Sequence, residues 1–546
     1  MRLVNAKTKS ETGFDHVIQN INIKTPFGRK ALKEIEPFAP GRERELRHEL
    51  SKVRRLSVLA GEHPEKIEIL DEIFMGIKDV SHSIGRSGKN ALTVLELFEI
   101  KNYLIQMKRI AELLQDVRHS LPKEMILSDT SRLLDILDPR RDRINTFYIY
   151  DEFSEELAGH RKEKRELELE IRKHQKDIRQ RIEKDYGISL TPKFEFLVSK
   201  SNTAMLDRVK AIRELEVETE DYMTVTFSLK SNEAIYTVRR KMEALNAKIE
   251  DEELKVREEL SREVARDADI LAGNGNRIGE LDLVLAKARY AAARNYVEPV
   301  ILEEHVIRIT DGRHTVVEEI LRAKGKSFRP VSITLQDGVT CITGANMGGK
   351  TVSLKMAGLV ALLAQYGFFV PCASAELGLS SYIHILIGDT QSMQRGLSSF
   401  GSEMEELKDI LDQSRDDALI MIDEIANGTN PVEGLALTKS IVSYLNSKKY
   451  ITVITTHFDN VAVGDQVRSM QVRGLAGADI DKLVRELRYA NRKERIEVIA
   501  KYMDYRLFPV GSGEEIPKDA LNIAKMLGIY DEIIENAKAM LVKGGN

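Results

Sequence analysis

The chain has 546 residues, 42% of them hydrophobic and 31% charged, and a formal net charge of −4. That length allows roughly two to four domains, each with a core of its own. The acidic balance excludes a chain that is basic throughout, so any grip on nucleic-acid phosphates has to come from a local patch. The two cysteines, Cys341 and Cys372, supply neither a disulfide framework nor a zinc ligand set, and read as small buried apolar residues. The N-terminus lacks the apolar core of a signal peptide. The most apolar stretch, Met356 to Val370, is interrupted by Gln365 and closed by Pro371, short of the ~20 residues a membrane span needs. A cytoplasmic protein without membrane contact is expected.

Residues 1–150 read as a helical core of helices joined by short polar turns, with Leu92–Leu114 placing apolar residues at helical spacing. From 151 to 270 the pattern predicts a long helical arm. Two highly charged helices, Asp151–Lys184 and Val238–Ala268, carry opposite charges three and four apart. Between them Phe194–Val198 and Met223–Leu229 are short and β-prone, which predicts a small β tip near 190–232. From about Pro299 to residue 510 the texture is α/β: the aliphatic runs Val339–Ile342, Leu419–Ile422 and Ile451–Ile454 each end in a polar turn, as buried parallel strands do. Gly511–Gly513 reads as a loop and Lys518–Val542 as a helical C-terminal segment. The predicted fold class is therefore multidomain α plus α/β.

The string Cys341-Ile-Thr-Gly-Ala-Asn-Met-Gly-Gly-Lys-Thr-Val-Ser-Leu354 places Gly344, Gly349, Lys350 and Thr351 in the spacing of a P-loop, after a strand and before a helix. The glycines let consecutive N–H groups turn toward phosphate oxygens, and the helix N-terminus adds its positive dipole end. Lys350 is then expected to reach the β- and γ-phosphates of ATP, and Thr351 to hold Mg²⁺. Met347, Gly348 and Val352, in the same string, complete the predicted nucleotide cradle. Downstream, the apolar run Leu419–Ile422 predicts a strand beside the P-loop strand. Its acidic end supplies Asp423 for Mg²⁺ and Glu424 to polarise the attacking water. His457, after the Ile451–Ile454 strand, is placed to sense the γ-phosphate at the ligand-binding end of the sheet.

Together these motifs resemble the MutS family of ATPases. Gly344–Lys350 is similar to the family's GPNMGGK, with Ala345 in place of proline; Gly312–Glu318 is similar to GRHPVVE; Asp423–Thr429 and Gly434–Leu437 resemble DEIGRGTSTYDGLAL; Thr456-His457 matches its TH pair. The motifs carry the resemblance from about residue 265 to the end. It implies that 271–298 is a lever helix, bearing Leu281-Asp282 and Asn295-Tyr296, that leads into an ABC-like ATPase domain at 299–510, and that 511–546 serves dimerisation. It also implies that Asn346 contacts phosphates, that Phe328 packs on the adenine, and that Ser398 reaches the partner's γ-phosphate in a composite dimer site. Leu397 and Asn427 stand where the mismatch-repair branch has arginines, and no Phe-x-Glu wedge motif introduces the chain. A trimmed form without mismatch-recognition and nuclease domains is therefore expected.

Two roles stay open at this point. One is an ATP-driven clamp on DNA, related to repair and recombination proteins. The other is an ATP-driven remodelling factor for a protein client, such as a reactivase of an adenosylcobalamin-dependent aminomutase. The tip favours neither strongly, because 193–230 holds six basic residues against seven acidic ones.

Overall fold

The computed structural model describes residues 3–143, 146–344, 349–388, 399–426, 428–458, 461, 467–475, 478–489, 494–510 and 519–543. Asn346, Met347, Gly348, Leu397, Ser398, Asn427 and the Gly511–Gly513 loop lie outside the described residues. The chain forms two compact units, one of Met1–Glu72, Leu114–Ile126 and Arg277–Asn546, the other of Ile73–Leu113 and Leu127–Asn276. The architecture is mixed helical and α/β, with three sheets among the described residues.

The first unit is organised by a six-stranded sheet in the order Asp504–Pro509, Arg468–Gly474, Gly338–Thr343, Tyr450–Thr455, Ala418–Asp423, Tyr382–Ile387. All neighbours are parallel except the first pair. The three central strands are buried along their whole length, which is why they read as unbroken aliphatic runs rather than as alternating ones. Successive side chains of a strand point to opposite faces. Leu419 and Met421 therefore pack with Ile383, Ile451 and Val453 under helix Lys350–Gln365. Ile420 and Ile422 instead join Val339, Cys341, Ile454 and, from helix Pro431–Asn446, Val442 and Leu445. Helix Lys350–Gln365 is buried from Ser353 to its end apart from half-buried Lys355, which pairs with Glu11, so its apolar residues go nearly all the way round instead of forming a stripe. Each fully buried aliphatic side chain in these two layers contributes about 1.5–3 kcal/mol.

The strand order corrects one expectation. The strand that ends at Asp423 is not beside the P-loop strand Gly338–Thr343; Tyr450–Thr455 lies between them. Hydrophobicity marks a strand as central but carries no information on its neighbours, since every interior position of such a sheet is equally apolar.

The N-terminal segment covers the sheet's far edge. Val4 bridges Ile383 in parallel, and Ile383 N–H donates to the Leu3 carbonyl at 2.9 Å. The Ile385 N–H donates to Thr8 Oγ1 at 3.2 Å, and Lys7 pairs with Glu406 at 2.7 Å. An edge strand's open N–H groups are thereby satisfied within the chain. A second sheet, in the order Val300–Ile301, Ser374–Leu377, Val306–Gly312, Val331–Gln336, belongs to the same unit. Helix Ala268–Arg294 ends before Asn295, whose φ of +52° breaks it; Asn295-Tyr296 therefore follow the helix, whereas Leu281-Asp282 lie on it. The C-terminal segment forms two helices, Asp519–Met526 and Asp531–Lys543.

His314, in the Gly312–Glu318 motif, caps helix Thr315–Ala323 by accepting from Val317 N–H. Burial, with the Lys355 ammonium nearby, pushes its imidazole down to about 4. Above the ordinary histidine value of ~6.5 it is neutral both folded and unfolded; below it only the unfolded chain takes up the proton, so stability falls as pH drops toward 4. The accumulated loss is about 3 kcal/mol by pH 4. His314→Asn keeps a capping side chain but has no proton to take up. Urea denaturation at pH 7 and pH 5 is expected to show a smaller acid loss in the variant than in the parent, by about 1.5–2 kcal/mol. Equal losses would remove His314 as the source.

In the second unit, helices Glu155–Tyr186 and Glu233–Arg266 pack antiparallel, Arg161 pairing with Glu253 at one end and Ile178 and Ile182 meeting Ile235 at the other. At that second end a three-stranded antiparallel sheet, Glu195–Ser199, Thr224–Leu229, Leu215–Glu220, buries Val198, Val225 and Phe227 with Val209 of helix Thr203–Lys210. Two of these strands stand where the alternation predicts them. The third was hidden: four of its six residues are Glu or Thr, and only Leu215 is buried.

Candidate active site

Strand Gly338–Thr343 ends in Gly344, at φ +134°, and helix Lys350–Gln365 starts from Gly349, at φ +79°. Both conformations favour glycine. Space is also short: a Cβ on Gly349 would lie 3.0 Å from the Tyr505 ring, and one on Gly344 3.2 Å from Val472 Cβ. The chain thus turns from strand to helix where two glycines stand, and the helix N-terminus opens at the carboxyl end of the parallel strands.

Five side chains predicted from sequence meet there. Lys350, only 3% exposed, puts Nζ 2.8 Å from the Gly344 carbonyl, 3.2 Å from His457 Nδ1 and 3.6 Å from a Glu424 carboxylate oxygen. Burial pulls the ammonium's proton affinity down, and Glu424 and Asp423 oppose that shift. The Thr351 hydroxyl donates to the Asp423 carboxylate at 2.9 and 3.0 Å. His457 Nε2 contacts Glu424 Oε1 closely. Burial, and then the Lys350 ammonium, lowers the proton affinity of His457. A lysine can only donate, so Nδ1 accepts from Lys350 and the neutral ring carries its proton on Nε2, which donates to Glu424. One histidine thereby fixes the spacing between a cation and a carboxylate.

Thr455 holds the acidic pair in register. Its hydroxyl donates to Asp423 Oδ1, and its carbonyl and Oγ1 accept from Glu424 N–H at 3.1 and 3.2 Å. Glu424 and Ala426 both have positive φ, +55° and +65°, a backbone state costing roughly 1–2 kcal/mol for a residue with a Cβ. Thr455 is a member of this cluster that sequence reasoning missed. The available signal was its position at the end of a β-branched strand, one residue before the Thr-His pair.

Beside the glycine turn lies a cavity of about 810 Å³, lined by Phe328, Val317, Leu321, Gly349, Val352 and Tyr505 among others. Phe328 thus shares a wall with Gly349 and Val352 at the start of helix Lys350–Gln365. Tyr505 was not anticipated, since strand Asp504–Pro509 was not read from the sequence. The structure brings together Gly344, Gly349, Lys350, Thr351, Asp423, Glu424 and His457, with Phe328 and Val352 at the cavity. Magnesium favours hard oxygen donors, and the Thr351 hydroxyl and Asp423 carboxylate, already held within hydrogen-bond distance, fit that requirement.

The model of MutS domain V matches residues 340–543. The endonuclease MutS2 of Acetivibrio thermocellus is 32% identical over 313 residues, 57% of this chain and 36% of that protein. The endonuclease MutS2 of Shouchella clausii is 27% identical over 537 residues, 95% of this chain and 63% of that protein. The DNA mismatch repair protein MutS of Aquifex pyrophilus is 24% identical over 536 residues, 95% and 58% respectively. The chain spans less than two thirds of each of these relatives. The likeness also reaches well into the N-terminal half, beyond the stretch from residue 265 that the motifs carried.

Proposed function

Since the chain belongs to the MutS family, we propose that it is an ATP hydrolase whose turnover drives a DNA-binding clamp. The observation that carries this reading is the convergence of Lys350, Thr351, Asp423, Glu424 and His457 at one helix N-terminus beside a cavity of about 810 Å³ that has Val317, Leu321, Phe328 and Tyr505 in its wall. On this reading the base enters the cavity against Phe328 and Tyr505, and the triphosphate follows the main-chain N–H groups from Gly344 to Lys350. Lys350 Nζ binds β- and γ-phosphate oxygens. Thr351 and Asp423 would hold Mg²⁺, which when bound neutralises charge shared by those oxygens. Glu424 accepts a proton from water as its oxygen attacks the γ-phosphorus and ADP leaves. His457 keeps that carboxylate oriented while its Nδ1 side faces the phosphate end of the site.

A homodimer with Ser398 completing the partner's site belongs to the same proposal. Ile533 and Met540, exposed on the last helix, and Tyr530 just before it supply apolar surface for association. The names of the relatives, DNA mismatch repair protein MutS and endonuclease MutS2, support DNA as the substrate. Among the described residues no helix is long and apolar enough to cross a membrane.

The test is Mg²⁺-dependent ATPase activity with and without duplex and branched DNA, across salt. Stimulated hydrolysis is expected, with DNA affinity falling by roughly 10³-fold or more between 50 and 200 mM salt if six or more phosphates are gripped. A flat salt dependence, or no binding at low salt, removes DNA from the proposal. A second reading, a protein client at the tip, is favoured by one observation. The turn at Asp221, held by hydrogen bonds of 2.7 Å from Met223 and Thr224 N–H to Oδ1, presents a fully exposed Tyr222 beside Glu218 and Glu220. A fully exposed tyrosine on a turn whose backbone is held, with Glu220 already paired to Lys200 at 2.6 Å and Glu218 near in sequence, offers an aromatic contact to a protein partner.

A further inference from the structure

Glu403, on helix Ser399–Gln413, is 8% exposed and has no place in the chemistry described so far. Burial holds its carboxyl above the usual glutamate range, opposed by the Ala426 N–H it accepts. That hydrogen bond, 3.2 Å to Oε2, reaches the turn that carries Glu424. The turn holds two left-handed residues without a glycine between them, Glu424 and Ala426. Thr455 fixes its front end through Glu424 N–H, and Glu403 fixes its back end two residues later. The other carboxylate oxygen lies against Gly388, where an added Cβ would stand only 2.9 Å from Oε1. The carboxylate is thus wedged between the end of strand Tyr382–Ile387 and the turn.

From this placement we infer that Glu403 is a positioning residue for Glu424: by accepting from Ala426 N–H it holds the turn in its left-handed form and aims the Glu424 carboxylate at the attacking water. The inference rests on the ATPase reading. Sustaining two backbone strains side by side requires the surroundings to over-determine them. The visible fixtures are the two hydrogen-bonded ends. Removing the rear one lets the turn relax, and a displacement near 1 Å of a catalytic group can cost about 10²-fold in rate.

The experiment compares the full chain with Glu403→Met, which keeps the length and burial but offers no comparable acceptor, and with Glu403→Gln, which keeps an acceptor oxygen. Single-turnover hydrolysis is expected to fall about 10- to 100-fold in Glu403→Met, with ATP affinity within about threefold of the parent. Glu403→Gln restores most of the rate. Because Glu403 acts through Glu424, adding Glu403→Met to Glu424→Gln should cost little beyond Glu424→Gln alone. Parental hydrolysis in Glu403→Met, loss of ATP binding alongside the rate, or fully additive losses in the double variant would each overturn the inference. If the parent itself fails to hydrolyse ATP, it is the ATPase reading that falls instead.

Discussion

Glu424→Gln is expected to bind ATP with near-parental affinity while hydrolysing it about 10²–10⁴-fold more slowly, the range a positioned general base contributes. The substitution is nearly isosteric. Glutamine keeps an oxygen that can accept from His457 Nε2–H, and the backbone N–H donated to Thr455 is untouched. Binding contacts on the Lys350 side therefore survive. What is lost is the group able to take the water's proton. His457 is a poor substitute, because burial and the neighbouring Lys350 ammonium disfavour its protonated form. Equilibrium binding of a fluorescent ATP analogue, followed by single-turnover hydrolysis, measures both quantities on one sample. Parental turnover would take the general-base role away from Glu424.

The same cluster shows which parts of the molecule were readable in advance. Glycine spacing and a following lysine and threonine mark a strand-to-helix turn because few backbones can bend there with side chains present, and Gly344 and Gly349 have the positive φ this requires. The aliphatic runs ending at Asp423 and Thr455 were readable because both faces of their strands are covered. Strand order was not, as the intervening Tyr450–Thr455 strand makes plain. Residues that act through tertiary contact left no local mark. Tyr505 reaches Gly349 across about 156 positions of sequence from a strand with partly polar composition, and Glu403 reads as one more acid in the run Glu403-Met-Glu-Glu406. Leu3 to Glu11 likewise looks like an unremarkable polar start. Its tie to the sheet edge runs partly through main-chain groups, which are identical in every sequence, and partly through Lys7 and Thr8, polar residues that look the same on any solvated face.

The second large effect is expected at Lys350. Lys350→Ala should weaken ATP binding by about 10²–10⁴-fold, since two charge-assisted hydrogen bonds to phosphate are worth roughly 1.5–3 kcal/mol each. The loss has a second source. Without the ammonium, Asp423 and Glu424 face the incoming triphosphate with no lysine charge beside them. Two like charges then oppose the ligand in a partly buried site, where screening is weak. Protein stability without nucleotide should be affected far less. The ammonium is buried and its burial is the largest influence on its proton affinity, so removing it also removes a desolvation cost, and the melting temperature of the nucleotide-free protein should change little. Titration calorimetry with ATP and Mg²⁺, set beside thermal unfolding of the same preparations, separates the two. A variant that melts as the parent does yet binds ATP as tightly would show that the triphosphate is held somewhere other than at the Gly344–Thr351 turn.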